Sequence, residues 1–320
     1  MIPHRLYVGC IGEGMFRSID RGVSFQRACD GMPFVECDVR ALLVDPDQPG
    51  RLLLGSELGV FQSLNGGDTW KLLPAPVEGL RVWSLFHHQK RILAGTCPPG
   101  IVLSEDDGEH WVRAAVHMQA ECPRIRYNRV TCLTADPAHP DHLYAGVEID
   151  GIHESHDGGK TWQRIGEGLQ SQDIHDLVML DDGRMLTTTN RDLHASEDGG
   201  RTWTPQRMDR VVPWIYNRAV TRTLGTPGQV LLGAGNGPPG SEGAILLSRD
   251  GGRSWVEASM PGRANSTIWN FAKHPADTQL VYASSVSGQV YRSTDEGAHW
   301  EKLRYEFGEI RALAWEPPLA

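Results

Sequence analysis

Eight residues recur seven times along this chain, and that recurrence restricts the fold more than any other feature. The pattern is Ser, any residue, Asp or Asn, any residue, Gly, two further residues, then Trp or Phe. It occurs at Ser18–Phe25, Ser63–Trp70, Ser104–Trp111, Ser155–Trp162, Ser196–Trp203, Ser248–Trp255 and Ser293–Trp300. The leading serines stand 45, 41, 51, 41, 52 and 45 residues apart. Each copy has a local physical logic. The carboxylate or amide caps backbone N–H groups inside a tight turn, and Gly supplies a positive φ that other residues resist. The closing aromatic ring folds back beneath the turn. The seven Asp and Asn side chains are therefore expected to be structural.

The stretches between the boxes repeat as well. The second unit reads VRALLVDP (39–46), RLLLG (51–55), GVFQS (59–63) and TWKLLP (69–74), and the seventh reads TIWNFAKHP, LVYAS, QVYRS and HWEKL. Four short strands per unit, rich in β-branched and aromatic residues, at a period of about 40–50 residues predict an all-β, seven-bladed β-propeller. The first unit lacks its inner strand, and EIRALAWEPP (309–318) near the far end echoes DVRALLVDP (38–46). The C-terminal strand should join blade one and close the ring without an exposed edge. Length alone, 320 residues, would suggest about two domains of ~150 residues. The repeat overrides it: residues 1–320 are expected to form one domain.

The boxes resemble the Asp box, or BNR repeat, of sialidase-like proteins, and the resemblance covers the whole chain. It implies the propeller fold. It does not carry over the sialidase catalytic set: those enzymes are six-bladed and open their arginine triad with Arg-Ile-Pro, whereas here Arg124-Ile125 is followed by Arg126. Xyloglucan-cleaving Asp-box enzymes work in a cleft between two propellers, and this chain has length for one. Photosystem assembly factors are similar too, being seven-bladed, non-enzymatic and equipped with an arginine-rich binding patch. Fold likeness by itself is only an analogy for function.

Charge and composition exclude some partners. Lys and Arg number 31 against 40 Asp and Glu, a net charge of -9, which argues against nucleic-acid binding. No apolar run approaches the ~18 residues of a membrane helix, and MIPHRLYVGC lacks the head of a secretory signal. The six cysteines form no C-x-x-C pair. A cytoplasmic protein with free thiols, without membrane contact, is the expectation.

The two ends of the ring differ in what they offer. One end collects the box turns and the first-to-second strand loops, which places His139, His142 and His274 in solvated turns. The other surrounds the mouth of the central channel. Aligning inner strands on VRALLVDP puts Arg40, Trp83, Thr131, His175, Thr221, Trp269 and Arg311 at one level there, polar or aromatic where core is expected. One residue further on stand Asp176 and Arg222. The two longest spacings each contain Tyr-Asn-Arg, as Tyr127-Asn128-Arg129 and Tyr216-Asn217-Arg218, and the loops bring Glu57 and Glu148.

Convergent arginines in an acidic protein point to an anionic ligand, since the guanidinium fork matches carboxylate and phosphate. Arg40, Arg222 and Arg311 would hold the anion. Trp83, Trp269, Tyr127 and Tyr216 would offer flat surface, with Arg129 and Arg218 adding charge. His175 with Asp176, or Glu57 or Glu148, would move protons in a hydrolase or lyase acting on a small anionic molecule, carbohydrates included. The competing reading pairs the arginines with Asp38, Asp173, Asp176 or Glu309 and leaves a non-catalytic scaffold that docks a protein partner through an arginine-lined face. No metal site and no cofactor is expected from the motifs.

Overall fold

The computed structural model describes residues 3–122 and 126–319. Arg124 and Ile125, compared above with the sialidase motif, lie outside the described residues. Seven four-stranded antiparallel sheets form the blades. Their inner strands are Ile310–Glu316 in blade one, then Ala41–Val44, Arg81–His88, Val130–Asp136, Ile174–Met179, Tyr216–Arg222 and Ile268–His274 in blades two to seven. The ring closes as the repeat predicts. Ile310–Glu316 pairs with Arg5–Cys10, setting Val8 opposite Leu313 and Leu6 opposite Trp315. Among the described residues the only helix is the 3-10 turn Met208–Arg210, and no helix is long and apolar enough to cross a membrane.

The core is divided rather than central. Seven buried apolar clusters occur among the described residues, one at each blade–blade contact. Tyr7 and Met15 of blade one meet Leu52 and Phe61 of blade two, for example, and Tyr144 of blade four meets Leu177 of blade five. Blades approach most closely where the second strand carries Gly. A Cβ on Gly55 would stand 2.5 Å from Val82, and one on Gly146 would stand 2.6 Å from Ile174. Recurrent Gly in LLLG and YAG is thus a packing requirement of the ring.

Each box turn closes on its own serine, which bonds the Asp or Asn and the Gly N–H of the same box. In blade four Ser155 Oγ donates to Asp157 Oδ1 and accepts from the Gly159 N–H, both at 2.9 Å. Asp157 Oδ1 also accepts the Lys160 and Thr161 N–H groups at 3.0 and 2.9 Å, and Trp162 Nε1 donates to the Gly159 carbonyl. Burial alone would push the Asp157 carboxyl up, but these bonds outweigh it and hold the group down at about 2. The first-to-second turns lie beside the boxes: Gly66 N–H reaches the Gly50 carbonyl at 2.8 Å.

The histidine expectation needs correction. His139 and His142 belong to the second strand of blade four, with His139 exposed and His142 half-buried. His274 is the last residue of its inner strand, is 7% exposed, and packs against Trp315 at 5.2 Å between ring centroids. The strands run further into the His-Pro segments than those prolines suggest. Cys10, Cys29, Cys37, Cys97 and Cys132 are free and buried.

Candidate functional site

A β-bulge repeated around the ring builds the channel mouth. Register breaks at one level of the inner strands leave Trp83, Thr131, His175, Arg218, Trp269 and Arg311 unpaired. In blade two Arg40 occupies the same level, its N–H on the Gly55 carbonyl at 2.9 Å. A bulge takes its extra residue out of the pleat and redirects the side chain. Repeated in a closed ring, it turns one side chain per blade toward the axis. The bulge explains why polar residues occupy a level where the strand period predicts core.

In blade six this residue is Arg218, three positions before Thr221. Thr226-Pro227 imitates the Asp45-Pro46 turn in sequence, but it is the counterpart of Gln48-Pro49, since Gln229 N–H reaches the Thr226 carbonyl as Arg51 N–H reaches that of Gln48. Thr223, whose N–H reaches across to Gln229, is the counterpart of Asp45, which reaches Arg51. Arg222 therefore sits toward the other end of the channel, paired with Asp181. It lines a second cavity of about 610 Å³ together with Lys273 and Asp176. Sequence reasoning missed Lys273, although a lysine inside FAKH was the available signal. Burial lowers its amine to about 7, and Nζ donates to the Arg222 carbonyl at 2.5 Å.

The mouth holds an axial cavity of about 270 Å³, with Arg40, Arg218, Arg311, Trp83, Trp269 and His175 in its wall. The indoles are occupied by guanidiniums rather than left free for a sugar. Arg40 and Arg129 lie 4.6 and 4.2 Å from the Trp83 ring centroid, and Arg218 and Arg311 lie 4.1 and 4.4 Å from that of Trp269. Such cation–π contacts hold the arginines against their mutual repulsion. Tyr216 packs on His175 at 4.8 Å, whereas Tyr127 belongs to a short hairpin and stacks with Arg126 instead.

Three of the arginines have carboxylate partners. Arg40 pairs with Asp38 at 2.6 Å, Arg129 with Glu148, and Arg311 with Glu309. Those three carboxylates are set back from the cavity wall. Arg218, 8% exposed, has no carboxylate or hydrogen-bond partner for its guanidinium among the described residues. The sequence accounts for the gap: the second strand of blade four is followed by Glu148, while that of blade six runs into Gly235-Asn236. Burial lowers the Arg311 guanidinium to about 10, and repulsion from Arg218 and Arg129 adds to this against the pull of Glu309. Asp173 and Asp176 lie within electrostatic reach of Arg218 but form no ion pair with it.

The candidate proton carriers are engaged. His175 Nδ1 donates to the Asn217 carbonyl at 2.6 Å, leaving Nε2 at 3.5 Å from Asp173. Glu57 accepts the Asp38 N–H, and Glu148 holds Arg129. Burial raises the Asp176 carboxyl to about 6, and its oxygens accept the Val220 and Leu177 N–H groups.

Residues 153–164, the fourth box, match the BNR/Asp-box repeat family. No curated protein matches the chain. Among solved structures, one described as YCF48 bound to D1 peptide is similar at 15% identity and a TM-score of 0.57, over 82% of this chain and 81% of that one. An ancestral GH74 enzyme is similar at 17% identity and TM-score 0.65, over 91% of this chain but 39% of its own, so this chain spans about two fifths of it. A Bacteroides fragilis protein assigned as a 6-phosphogluconolactonase aligns over 98% of both chains at 11% identity and TM-score 0.65. At these identities the likeness is one of fold. Fold and repeat together define the class: a seven-bladed Asp-box propeller. Its relatives in shape include both an enzyme and a peptide-bound protein, so function has to be argued from the mouth.

Proposed function

We propose that this protein binds a small organic anion at the axial mouth, with Arg40, Arg218 and Arg311 gripping a carboxylate or phosphate head. The observation that carries this is Arg218, buried in the cavity wall with no carboxylate in direct contact, Asp173 and Asp176 acting on it only at longer range. A buried guanidinium left unpaired is costly, and an incoming anion would supply the missing partner. A neighbouring cavity of about 430 Å³ shares Trp269 and Arg311 with the mouth and is lined by Pro238, Pro239, Val286 and Phe307. It suits an apolar or sugar-like body attached to the head. Recognition is better supported than turnover, because His175, Glu57, Glu148 and Asp176 are all committed to protein partners. Docking of a protein partner through the same face is the second reading, favoured by the three arginines that already have carboxylates.

Calorimetry with inorganic phosphate, citrate and glucuronate as probes tests the proposal. Loss of a charged hydrogen bond, worth about 1.5–3 kcal/mol, should weaken binding by roughly 10- to 100-fold in Arg218→Gln. Equal affinity in the variant, or no probe bound by the wild type at millimolar concentration, overturns it.

A further inference from the structure

Blade four carries a second constellation, at the opposite end of the ring from the mouth. Its second strand, His139–Val147, pairs with its third, Gly151–Ser155, with Leu143 opposite Ser155 and Tyr144 opposite Glu154. Side chains alternate along a strand, so His142 and Tyr144 share one face with Glu154 and His156. The same register continued by one residue sets His142 across from His156, with Glu154 on the diagonal. Among the seven boxes, His stands in the second position only here.

The donor atoms converge. His142 Nε2 lies 3.3 Å and His156 Nε2 3.5 Å from the same oxygen, Glu154 Oε2. One donor atom from each of the three residues lies within 4.8 Å of the other two. These separations are long for a charged hydrogen bond, which runs at about 2.7–2.9 Å. Three exposed imidazoles bond at normal length: His110 with Asp106 at 2.7 Å, His299 with Asp295 at 2.6 Å, and His139 with Asp136 at 2.9 Å. The buried imidazoles of His153 and His175 stand 3.2 and 3.5 Å from Asp150 and Asp173. Among the described residues, only at Glu154 do two imidazoles stand within 3.5 Å of one oxygen. Two ligand atoms bound tetrahedrally at ~2.0–2.1 Å to one zinc ion stand ~3.3–3.4 Å apart.

The surroundings fit a metal centre. The two imidazoles stack at 4.1 Å between centroids and 28° between planes, so protonating both would set two cations face to face. Glu154 is 7% exposed, and no lysine or arginine pairs with it among the described residues. Its other oxygen accepts from Gln163 Nε2 at 2.8 Å, which fixes the carboxylate and leaves Oε2 for an ion. Tyr144 Oη stands 3.4 Å from His142 Nδ1, an outer contact that orients the ring.

We infer that His142, Glu154 and His156 form a binding site for a borderline divalent transition metal of the Zn²⁺ class. Two imidazoles and one carboxylate suit that class better than Ca²⁺ or Mg²⁺, which prefer all-oxygen shells. With His156 at 59% side-chain exposure, solvent can complete the coordination. The site is separate from the arginine mouth and does not depend on the reading given to it.

Titration of the tag-free full chain with Co²⁺ at pH 7.5 tests the inference. One equivalent should bind, giving visible ligand-field bands that Zn²⁺ abolishes. His156→Ala leaves Glu154 and the fold in place and should weaken Co²⁺ by more than the roughly 10- to 100-fold that loss of an outer partner costs. His142→Ala should do the same. Four outcomes overturn it: absence of stoichiometric binding, unchanged affinity in both variants, a near-ultraviolet thiolate band marking cysteine ligands, or equal stabilisation by Ca²⁺.

Discussion

The two ends of the ring are built from the same repeat yet treat polar groups in opposite ways. At the box end, seven similar corners satisfy most of their donors and acceptors within eight residues. The side chains of Ser155, Asp157, Thr161 and Trp162 all find polar partners within their own box. At the mouth, seven equivalent positions carry Arg, Trp, Thr or His, and one of them, Arg218, is buried with no carboxylate in direct contact. Uniformity with local satisfaction marks a device for folding. Divergence with an unmet electrostatic need marks a device for binding.

The largest effect that could break this comparison is on stability. Trp203 is 3% exposed and donates from Nε1 to the Gly200 carbonyl at 2.8 Å, so Trp203→Ala should cost about 3–5 kcal/mol in urea denaturation. Trp269→Ala should cost clearly less while lowering anion affinity, because its ring carries Arg218 and Arg311. Equal losses of stability would erase the distinction between the ends.

Next comes Ser155→Ala, which strands the Gly159 N–H and should cost about 1–3 kcal/mol. The same denaturation series reads it.

Acid unfolding separates the ends by sign. The box carboxyls Asp20, Asp106, Asp157, Asp198 and Asp250 are held down at about 2, against ~3.9 in an unfolded chain. Their folded-state values are depressed, so the stability they contribute is fully present above pH ~4 and is lost as pH falls toward 2. Box two carries Asn65 instead and does not titrate. Asp176, raised to about 6 by burial, works the other way. The native state binds its proton more tightly, so stability should fall as pH rises from ~4 to 6. Denaturation midpoints of the wild type and Asp176→Asn, compared at pH 4 and pH 7, isolate this contribution. The wild type should lose ground to the variant at the higher pH.

The smallest effect is the sharpest probe of the mouth. Asp38→Asn removes one partly exposed partner of Arg40, with a stability cost of at most about 1 kcal/mol. It should tighten binding of the anionic probes in calorimetry. Weaker binding would assign Asp38 to the ligand rather than to Arg40.

Much of this molecule is legible in the sequence. The boxes, the four strands per blade and the closing strand Ile310–Glu316 all follow from patterns a few residues long. The site is legible only in part. The sequence brings Arg40, Trp83, His175, Trp269 and Arg311 to one level, and the axial cavity has all five in its wall. Blade six escapes because its turn proline, Pro227, stands where Pro49 and not Pro46 stands in blade two, so that counting back from the proline passes over Arg218. The role of the indoles escapes too. Nothing in the spacing of Trp83 and Trp269 says whether their faces receive a ligand or a guanidinium, since Arg129 and Arg218 come from other blades.

By itself the sequence determined a closed seven-fold ring, because each corner is stabilised by its own eight residues and each small second-strand residue admits its neighbour. Tertiary structure alone decided which charges meet on the axis. A bulge depends on pairing with the next strand, so its position is not written in any local pattern. A counter-charge, likewise, is present or absent only once the blades stand side by side. The convergence of His142, Glu154 and His156 belongs with these: its residues lie close in sequence, but the register of two strands brings them together.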